Sequence, residues 1–293
     1  MWFNWKSIWL LCLLSFSAGQ AGAEQPITWM HPDYPPSFIV KGPAQGLGML
    51  DGIERFVQQQ LPEHLHQTRQ GNMKRIVAMM AAGRHTCAAS LFKTPEREKI
   101  IHFSKPYLVV LPPRIVIRKK DQEKFKPYLN QAGAVSLKHL LQASPFRFGF
   151  ASGRAYGKGF DGVIQDQTHP GNSEELHTLT LSQDVFQMIA AGRLDYTVAF
   201  SYELSYFGRD TQRQGAFMTI PAVEAPGVLH NYMGCDKTRW GAQRIAEIDQ
   251  ILLRARTERG FYGSYYAWLS REDQQLYRTL VTQHYGQSAA TVE

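Results

Sequence analysis

Two segments of the sequence follow the same plan, in which an amphipathic helix passes through Ala-Ala-Gly-Arg into a short apolar strand. The first copy spans residues 72–84 and continues as a strand over 85–91; the second spans 182–193 and continues over 194–200. The glycine of each turn is typical of a helix C-terminus. Because the copies lie too far apart for a solenoid, they predict an α/β protein with two lobes built on one plan.

Hydrophobic periodicity and turn residues predict further elements around the two copies. Residues 107–119 are nearly all β-branched or apolar apart from Pro112 and Pro113, so we interpret them as a buried strand that crosses between the lobes, with the prolines interrupting ladder pairing at the crossing. Residues 216–229, which contain Pro226, are interpreted as the return crossing. Other predicted strands cover residues 27–30, 146–150 and 230–235, and other predicted helices cover 52–61, 135–141, 240–258 and 264–285, with a break at 260–263 and a disordered tail after Gly286.

The N-terminal residues 1–23 have a different character from the rest of the chain. Lys6 precedes a short apolar core over residues 8–16, and Ala21-Gly22-Ala23 has the small-x-small pattern that a signal peptidase cuts before Glu24. An uncleaved membrane anchor is the alternative, but a span needs about 20 apolar residues and this core is about half that length. We therefore expect a cleaved signal peptide and a protein exported to the periplasm.

The composition indicates a folded protein with a basic balance. Of its 293 residues 44% are hydrophobic and 19% are charged, which excludes a disordered chain. The 32 Lys and Arg residues against 25 Asp and Glu give a net charge of +7, and loss of residues 1–23 removes Lys6 alone and leaves +6. This charge suits an anionic solute. The longest basic run, residues 118–120, is interpreted as a solvated strand end, so we expect no nucleic-acid partner.

Two cysteines, Cys87 and Cys235, remain after residue 23. A pair of cysteines in an oxidising compartment is a candidate for a disulfide. Two buried free thiols are an equally acceptable interpretation, because the sequence does not place the sulfur atoms within bonding range. No His and Cys spacing is typical of a metal site, and we predict neither a metal nor a cofactor.

A proline-rich loop over residues 31–38 follows the first predicted strand. Tyr34 stands directly before Pro35 and Pro36, which hold it in an extended geometry. An aromatic side chain at the end of a strand is well placed to stack on a ligand. The alternative is that Tyr34 and Phe38 only pack the loop onto the core.

Residues 90–110 contain the most informative motif. Ser90 ends an apolar strand, Thr94 to Arg97 form a Thr-Pro-Glu-Arg turn, and Phe103 to Tyr107 read Phe-Ser-Lys-Pro-Tyr. In this order, and with its flanking elements, the chain resembles the family 3 periplasmic solute-binding proteins, which are two-lobed receptors for small polar solutes. The resemblance extends over about residues 26–285.

The resemblance implies a type II periplasmic-binding-protein fold of the kind found in amino-acid receptors. In this fold each lobe is a mixed sheet flanked by helices, and two crossing strands join the lobes. Lobe 1 would comprise residues 24–112 and 226–293, and lobe 2 residues 113–225. The solute would bind between the lobes at the strand ends, and the protein would be a monomer.

The resemblance also implies which residues contact the solute. Arg97 would bind a carboxylate from lobe 1, with Tyr34 as a stacking residue. In lobe 2 the small-residue turn at 151–157 would offer backbone N–H groups, and Arg154 would add a charged fork. The predicted ligand-binding residues are Tyr34, Ser90, Thr94, Arg97, Gly153, Arg154, Ala155, Phe200 and Ser201.

One departure from the family pattern bears on the solute. Amino-acid-binding members carry an Asp five residues after the position of Asp195, where it meets the ammonium group of the ligand. In this chain the position holds Phe200, followed by Ser201, and no carboxylate is present unless Glu203 turns inward. We therefore hypothesise a non-zwitterionic acid as solute, delivered to an ABC-type permease or to a sensor.

An enzyme on the same fold is the alternative function. Some relatives are periplasmic dehydratases of the cyclohexadienyl type, which need a cleft carboxylic acid with a raised pKa. Glu203 and Glu224 are the candidate acids, and each is more simply interpreted as a surface residue. We therefore predict a binding protein without catalytic residues.

Overall fold

The structure is a computed structural model that describes residues 25–178, 180, 182–208, 215–225, 227–256 and 261–285. The predicted signal peptide, Pro226, Gly260 and the tail after Gly286 lie outside these residues. Within the described ranges no helix combines the length and the apolar character needed to cross a bilayer.

Strands and helices alternate along most of the described chain. The strands are β1 (Ile27–His31), β2 (His66–Gln70), β3 (Thr86–Leu91), β4 (Ile101–Phe103), β5 (Leu108–Val110), β6 (Arg114–Arg118), β7 (Phe148–Ala151), β8 (Ser173–Leu176), β9 (Tyr196–Ala199), β10 (Phe217–Ile220) and β11 (Leu229–Asp236). The helices are α1 (Met49–Gln59), α2 (Met73–Ala81), α3 (Pro95–Glu98), α4 (Gln122–Phe125), α5 (Leu137–Ala143), α6 (Lys158–Gln167), α7 (Gln183–Ala190), α8 (Ser201–Phe207), α9 (Arg239–Ala255), α10 (Gly263–Tyr266) and α11 (Arg271–Tyr285).

The strands form two separate mixed sheets. The first has the order β2-β1-β3-β11-β4, with β5 also paired to β11, and the second has the order β10-β6-β9-β7-β8. In the first sheet β1 runs parallel to β2 and β3, whereas β11 is antiparallel to β3. In the second, β7 runs parallel to β8 and β9, and β6 is antiparallel to β9 and β10. The predicted α/β fold with two mixed sheets is confirmed.

The first crossing is interrupted at the prolines, as predicted, but it consists of two strands and not of one. Residues 107–119 form two strands, with β5 in the first sheet and β6 in the second. Pro112 and Pro113 lie between them, and since proline has no N–H to donate, the ladder cannot continue through this point. The chain returns from β10 to β11 in residues 221–228. The assignment of residues 24–112, 226–293 and 113–225 to lobes stays a prediction.

Three elements were mispredicted for identifiable reasons. Helix α1 begins before residue 52, because the Asp51 carboxylate accepts hydrogen bonds from the N–H groups of Gly48 and Ile39, at 2.9 and 3.0 Å, and so organises an earlier start. The predicted helix over 264–285 is divided into α10 and α11. Strand β2 was missed because its sequence, His-Gln-Thr-Arg-Gln, is polar throughout and lies at the edge of its sheet.

The interpretation of residues 118–120 as a solvated strand end was wrong for Arg118. This side chain is buried and forms salt bridges with Asp121 and with Asp195, the latter at 2.7 Å. Its guanidinium also donates to the backbone carbonyls of Ile189 and Leu194. Arg118 therefore ties β6 to the end of α7 and stabilises the second sheet.

The two cysteines lie in the first sheet. Cys87 of β3 and Cys235 of β11 are directly opposite each other, with their Cα atoms 4.0 Å apart, and the structure joins them in a disulfide. Both residues are completely buried. The disulfide therefore joins two strands of the first sheet and closes a long segment of chain that contains all the strands of the second sheet.

Candidate functional site

A narrow cavity of about 40 Å³ lies between side chains that come from both sheets. By the usual measure this is room for only a few water molecules, so side chains fill most of the gap. The first-sheet side includes Tyr34, Ser90 and Arg97, and the second includes Arg154, Ala155 and Phe200. The remaining lining residues are Pro32, Met73, Phe92, Tyr202 and Asn231.

Arg97 reaches the cavity from the short helix α3, which follows β3. The Thr94 hydroxyl caps this helix by accepting a hydrogen bond from the N–H of Arg97, at 3.3 Å. The Arg97 guanidinium donates to the carbonyl of Phe92 at 2.9 Å and, across the gap, to the carbonyl of Gly153 at 3.1 Å. The local turn thus directs the side chain toward the second sheet.

Arg97 is a buried cation without a paired carboxylate. The residue is 7% exposed, and among the residues that the structure describes it forms no salt bridge. Burial lowers the pKa of Arg97, and the fields of Asp161 and Glu96 only partly oppose this. An unpaired buried charge is costly, and two neutral carbonyls do not cancel it.

Arg154 enters the site from the turn after β7. Gly153, directly before it, has a φ of +71°, a left-handed conformation that favours glycine. The Arg154 guanidinium lies 2.6 Å and 3.2 Å from the two carboxylate oxygens of Glu203, and it donates to the Tyr34 hydroxyl at 2.5 Å. The two-point pairing with Glu203 is the strong, directional form of an arginine–carboxylate contact.

Three aromatic rings surround the Arg154 guanidinium. Its Cζ lies 4.7 Å from the ring centroid of Tyr34, 4.8 Å from that of Tyr156 and 5.4 Å from that of Phe200. These distances are within the range of cation–π attraction. Burial disfavours the charge, but Glu203, Tyr34 and Tyr156 outweigh it and hold the pKa of Arg154 well above its ordinary value.

The interpretation of Glu203 as a surface residue was wrong. Its side chain is 0% exposed, and it also accepts hydrogen bonds from the Phe200 N–H at 2.8 Å and the Tyr34 hydroxyl at 3.1 Å. Phe200 precedes α8 and Glu203 is its third residue, which is capping-box spacing. That spacing is the signal that would have placed this carboxylate at the strand end beside the cavity.

Glu224, the other candidate acid, lies elsewhere. Its carboxylate accepts hydrogen bonds from the Ser136 hydroxyl at 2.6 Å and from the N–H groups of Leu137 and Lys138 at 2.9 and 3.1 Å. Glu224 therefore caps the N-terminus of α5, where a carboxylate stabilises the free N–H groups.

Most, but not all, of the predicted ligand-binding residues meet at the cavity. Thr94 and Gly153 line an adjoining groove instead, and Ser201 lines neither space. Pro32, Met73, Phe92, Tyr202 and Asn231 were not predicted. Pro32 comes from the loop after β1, and Tyr202 lies in the same capping-box sequence as Glu203. The other three come from α2, the β3–α3 connection and β11, and no local motif marks them.

The adjoining groove has a volume of about 540 Å³ and shares Met73, Arg97, Arg154 and Ala155 with the cavity. Although Lys74, Glu96 and Asp161 also line it, its walls are mainly apolar. They include Met73, Val77, Ala78 and Ala81 of α2 on one side, and Phe150, Ala151 and Ile164 on the other. A molecule bound at Arg97 therefore has apolar surface within reach on the far side of the guanidinium.

Comparison with solved structures shows the same architecture in several binding proteins. An ancestral arginine-binding protein bound to arginine has a TM-score of 0.62 at 16% identity, over 83% of this chain and 97% of that chain. A histidine kinase sensor domain with similarity to periplasmic binding proteins has a TM-score of 0.64 at 15% identity, over 84% and 97%. At these identities the similarity shows the fold alone.

A third structure, an amino-acid ABC-transporter substrate-binding protein from Streptococcus pneumoniae bound to L-arginine, has a TM-score of 0.59 at 13% identity, over 92% of this chain and 96% of that chain. No curated protein matches the sequence at a significant level. The family of bacterial extracellular solute-binding proteins, family 3, matches residues 27–282. The chain therefore belongs to this solute-binding family, as the motif between Thr94 and Tyr107 predicted.

Proposed function

We propose that this solute-binding protein is an exported receptor that captures a small carboxylate-bearing solute through Arg97. The observation that carries the proposal is the burial of the Arg97 guanidinium without a paired carboxylate. Its present partners are two backbone carbonyls, which accept hydrogen bonds but carry no net charge. A solute carboxylate would supply the missing charge and could engage the planar guanidinium at two points.

Two features beside Arg97 suit a carboxylate with an apolar body. The groove behind the guanidinium offers the apolar side chains of α2 and of Phe150 and Ile164. Arg154, the other cation at the cavity, is already paired with Glu203, so the unpaired charge is the one on Arg97. Because Glu203 does turn inward, the hypothesis of a non-zwitterionic acid rests on the pairing of this carboxylate with Arg154 and no longer on the absence of an Asp at position 200.

Binding would be coupled to closure of the two lobes, assigned as residues 24–112 with 226–293, and 113–225. The two sides already touch through Arg97 and the Gly153 carbonyl, and through the Lys74–Glu175 salt bridge at 3.2 Å. A solute that contacts both sides stabilises the closed form by the difference between its contacts in the two states. A membrane protein could then recognise the closed shape.

An ABC-type permease and a sensor are both compatible partners. The similar structures include a substrate-binding protein of an amino-acid ABC transporter and a sensor domain of a histidine kinase. Export to the periplasm is supported by the family and by the signal-peptide pattern of residues 1–23. The partner would in either case bind the protein after the solute has closed it.

Titration against a panel of carboxylates tests the proposal. The panel contains aromatic and aliphatic acids without an amine, and the matching amino acids. We expect at least one amine-free acid to bind, and we expect Arg97→Met to weaken its binding by about 10- to 100-fold, the worth of a charged hydrogen-bond pair.

The matched control is Arg69→Met, because Arg69 is exposed and donates only to Gln67. This variant should bind like the wild type. Failure of every carboxylate to bind, or equal binding by the Arg97→Met protein, would overturn the proposal. Turnover of a cyclic acid in the same incubations would instead favour the dehydratase alternative.

A further inference from the structure

We infer that Arg154 is a resident cation. Its side chain occupies a guanidinium-binding site built by Glu203, Tyr34, Tyr156 and Phe200, so that the wild-type protein rejects cationic solutes and a protein without this side chain binds a free guanidinium compound in its place. This inference deepens the proposed function. Only its conclusion about the class of solute rests on that function, because it assumes that Arg97 binds the carboxylate of the solute.

The contacts around Arg154 are those of a complete binding site for a guanidinium ion. Glu203 engages two nitrogens of the fork, and the Tyr34 hydroxyl accepts a further hydrogen bond. Three rings cover the ion, and the side chain of Arg154 is only 5% exposed. A guanidinium ion needs a paired carboxylate and apolar or aromatic cover to leave water, and this site provides both.

The walls of the site are held in place without help from Arg154. The Glu203 carboxylate is fixed by the N–H of Phe200 at the start of α8. The Phe200 ring stacks on that of Tyr202, with centroids 5.2 Å apart and the planes 2° from parallel, and the Tyr202 hydroxyl lies 3.0 Å from that of Tyr34. Removal of the Arg154 side chain would therefore leave a formed site.

Arg154 and the walls come from different parts of the fold. Arg154 is carried by the turn between β7 and α6, in residues that belong to neither strand nor helix. Glu203 and Phe200 belong to the β9–α8 junction, and Tyr34 to the loop after β1. The guanidinium therefore belongs to one connection of the chain, and these three residues that contact it belong to others.

The resident cation has a direct consequence for the solute. An ammonium group that paired with Glu203 would first have to separate Arg154 from this carboxylate, which exchanges one buried cation for another. The charges of Glu203 and Arg154 cancel each other. The charge of Arg97 therefore gives the cavity an excess of positive charge. The solute class that fits is a carboxylate without a cationic group.

Chemical rescue of an Arg154→Ala protein tests the inference. The variant should unfold at a lower temperature than the wild type, and millimolar ethylguanidinium chloride should raise its Tm by about 3 °C, the scale expected from ligand linkage for a domain of this size. Ethylammonium chloride at the same concentration should have a smaller effect, because it lacks the planar fork.

Two further proteins serve as controls. Arg147→Ala removes an exposed arginine paired with Glu174 on the same sheet, and it should not respond to ethylguanidinium. The double variant Arg154→Ala, Glu203→Gln removes the carboxylate and should lose the rescue. If Arg154→Ala does not fold alone, the readout is recovery of soluble, disulfide-bonded protein when it is refolded with ethylguanidinium.

The outcomes separate this inference from the proposed function. Rescue that depends on Glu203, together with at least a tenfold gain of arginine binding by Arg154→Ala, supports a resident cation. No rescue, or an equal effect of ethylammonium, overturns it while leaving carboxylate binding at Arg97 intact. Failure of all carboxylates to bind the wild type overturns the proposed function and leaves the rescue result standing.

Discussion

The first-sheet and second-sheet sides of the cavity each bury an arginine, but the two guanidinium groups have different partners. On the second-sheet side Arg154 is paired with Glu203 and enclosed by rings. On the first-sheet side Arg97 is held by two carbonyls and has no paired acid among the described residues. Burial alone therefore does not distinguish a structural charge from a ligand-binding one. The group that contacts the guanidinium makes the distinction, because only a cation without a paired carboxylate would gain by binding an anion.

The largest effect on stability should come from breaking the ion pair between Arg154 and Glu203. Glu203→Gln keeps the shape of the side chain but removes the carboxylate that pairs with the buried Arg154 guanidinium. Loss of one partner of a buried ion pair costs about 3–5 kcal/mol, and we expect this loss in the free energy of unfolding, measured with denaturant.

Glu175→Gln is the matched control for this variant. Glu175 also pairs with a cation, Lys74, but both side chains are well exposed, and such pairs contribute about 1 kcal/mol or less. If Glu203→Gln were as mild as Glu175→Gln, the charge of Arg154 would not depend on Glu203, and the contrast between the two sides would disappear.

A covalent link distinguishes the first-sheet side from the second. Replacing both Cys87 and Cys235 by alanine removes the disulfide between β3 and β11, and loss of such a link typically costs about 2–4 kcal/mol. The affinity for a carboxylate should change far less, since Arg97 is positioned by α3 and the β3–α3 connection. Denaturant unfolding with and without reductant measures the effect, and the double variant should not respond to reductant. A loss of binding as large as that of Arg97→Met would show that the disulfide positions Arg97.

Replacement of Glu54 on α1 should have the opposite effect on stability to replacement of Glu203. Glu54 is buried, Gln58 donates to one carboxylate oxygen at 3.2 Å, and the other oxygen has no hydrogen-bond partner among the described residues. Burial, reinforced by Asp51 and partly offset by Gln58, raises the pKa of Glu54 to about 8. Because the folded state holds the proton more tightly than the unfolded chain, stability is fully present near pH 4 and is lost as the pH rises toward 8.

The shift corresponds to about 4 kcal/mol at pH 8 as an upper limit. We therefore expect Glu54→Gln to stabilise the protein by about 2–3 kcal/mol at pH 8 and to have little effect at pH 4.5. Thermal unfolding at several pH values measures this. If the variant were no more stable than the wild type at pH 8, Glu54 would ionise without cost in the folded protein. The first-sheet side would then accept an unpaired buried charge that has no ligand, and the burial of Arg97 would not by itself indicate ligand binding.

Arg97 could be predicted from the sequence because its position is defined by a contiguous motif. Thr94 caps the turn, and Arg97 follows in the same helical turn. The location of Arg154 was predicted for the same reason, since it follows a strand end in a small-residue turn. Its pairing with Glu203 was not predicted, because Glu203 lies far along the chain and the pairing depends on how β7 and β9 are arranged in the sheet.

The fold was predictable where the chain repeats itself and less so elsewhere. The two helix-to-strand copies correspond to α2 with β3 and α7 with β9, one pair in each sheet. Strand β2 has no apolar pattern because the edge of a sheet exposes it, and the division of residues 107–119 depends on a change of sheet at two prolines. Periodicity reports burial within an element but not which sheet it joins.

The smallest expected effect tests how closely the two sides approach. A Cβ at Gly153 would lie 3.0 Å from the Lys74 side chain of α2, and the φ of +71° is itself unfavourable for alanine. Gly133 is a matched control, since it has a φ of +70° and nothing within 4 Å of a built Cβ. Alanine at either position should cost about 1 kcal/mol in unfolding free energy from the backbone alone.

Only Gly153→Ala should also weaken the binding of a carboxylate, by about two- to fivefold if closure loses up to 1 kcal/mol. The contact between α2 and the β7–α6 turn lies beside the hydrogen bond from Arg97 to the Gly153 carbonyl, so an added methyl group would separate the two sides where Arg97 joins them. Titration of both variants with the same acid measures the difference. Equal affinities would mean that the solute is held by the first-sheet side alone, in which case Arg97 would not need the second sheet to act as its anchor.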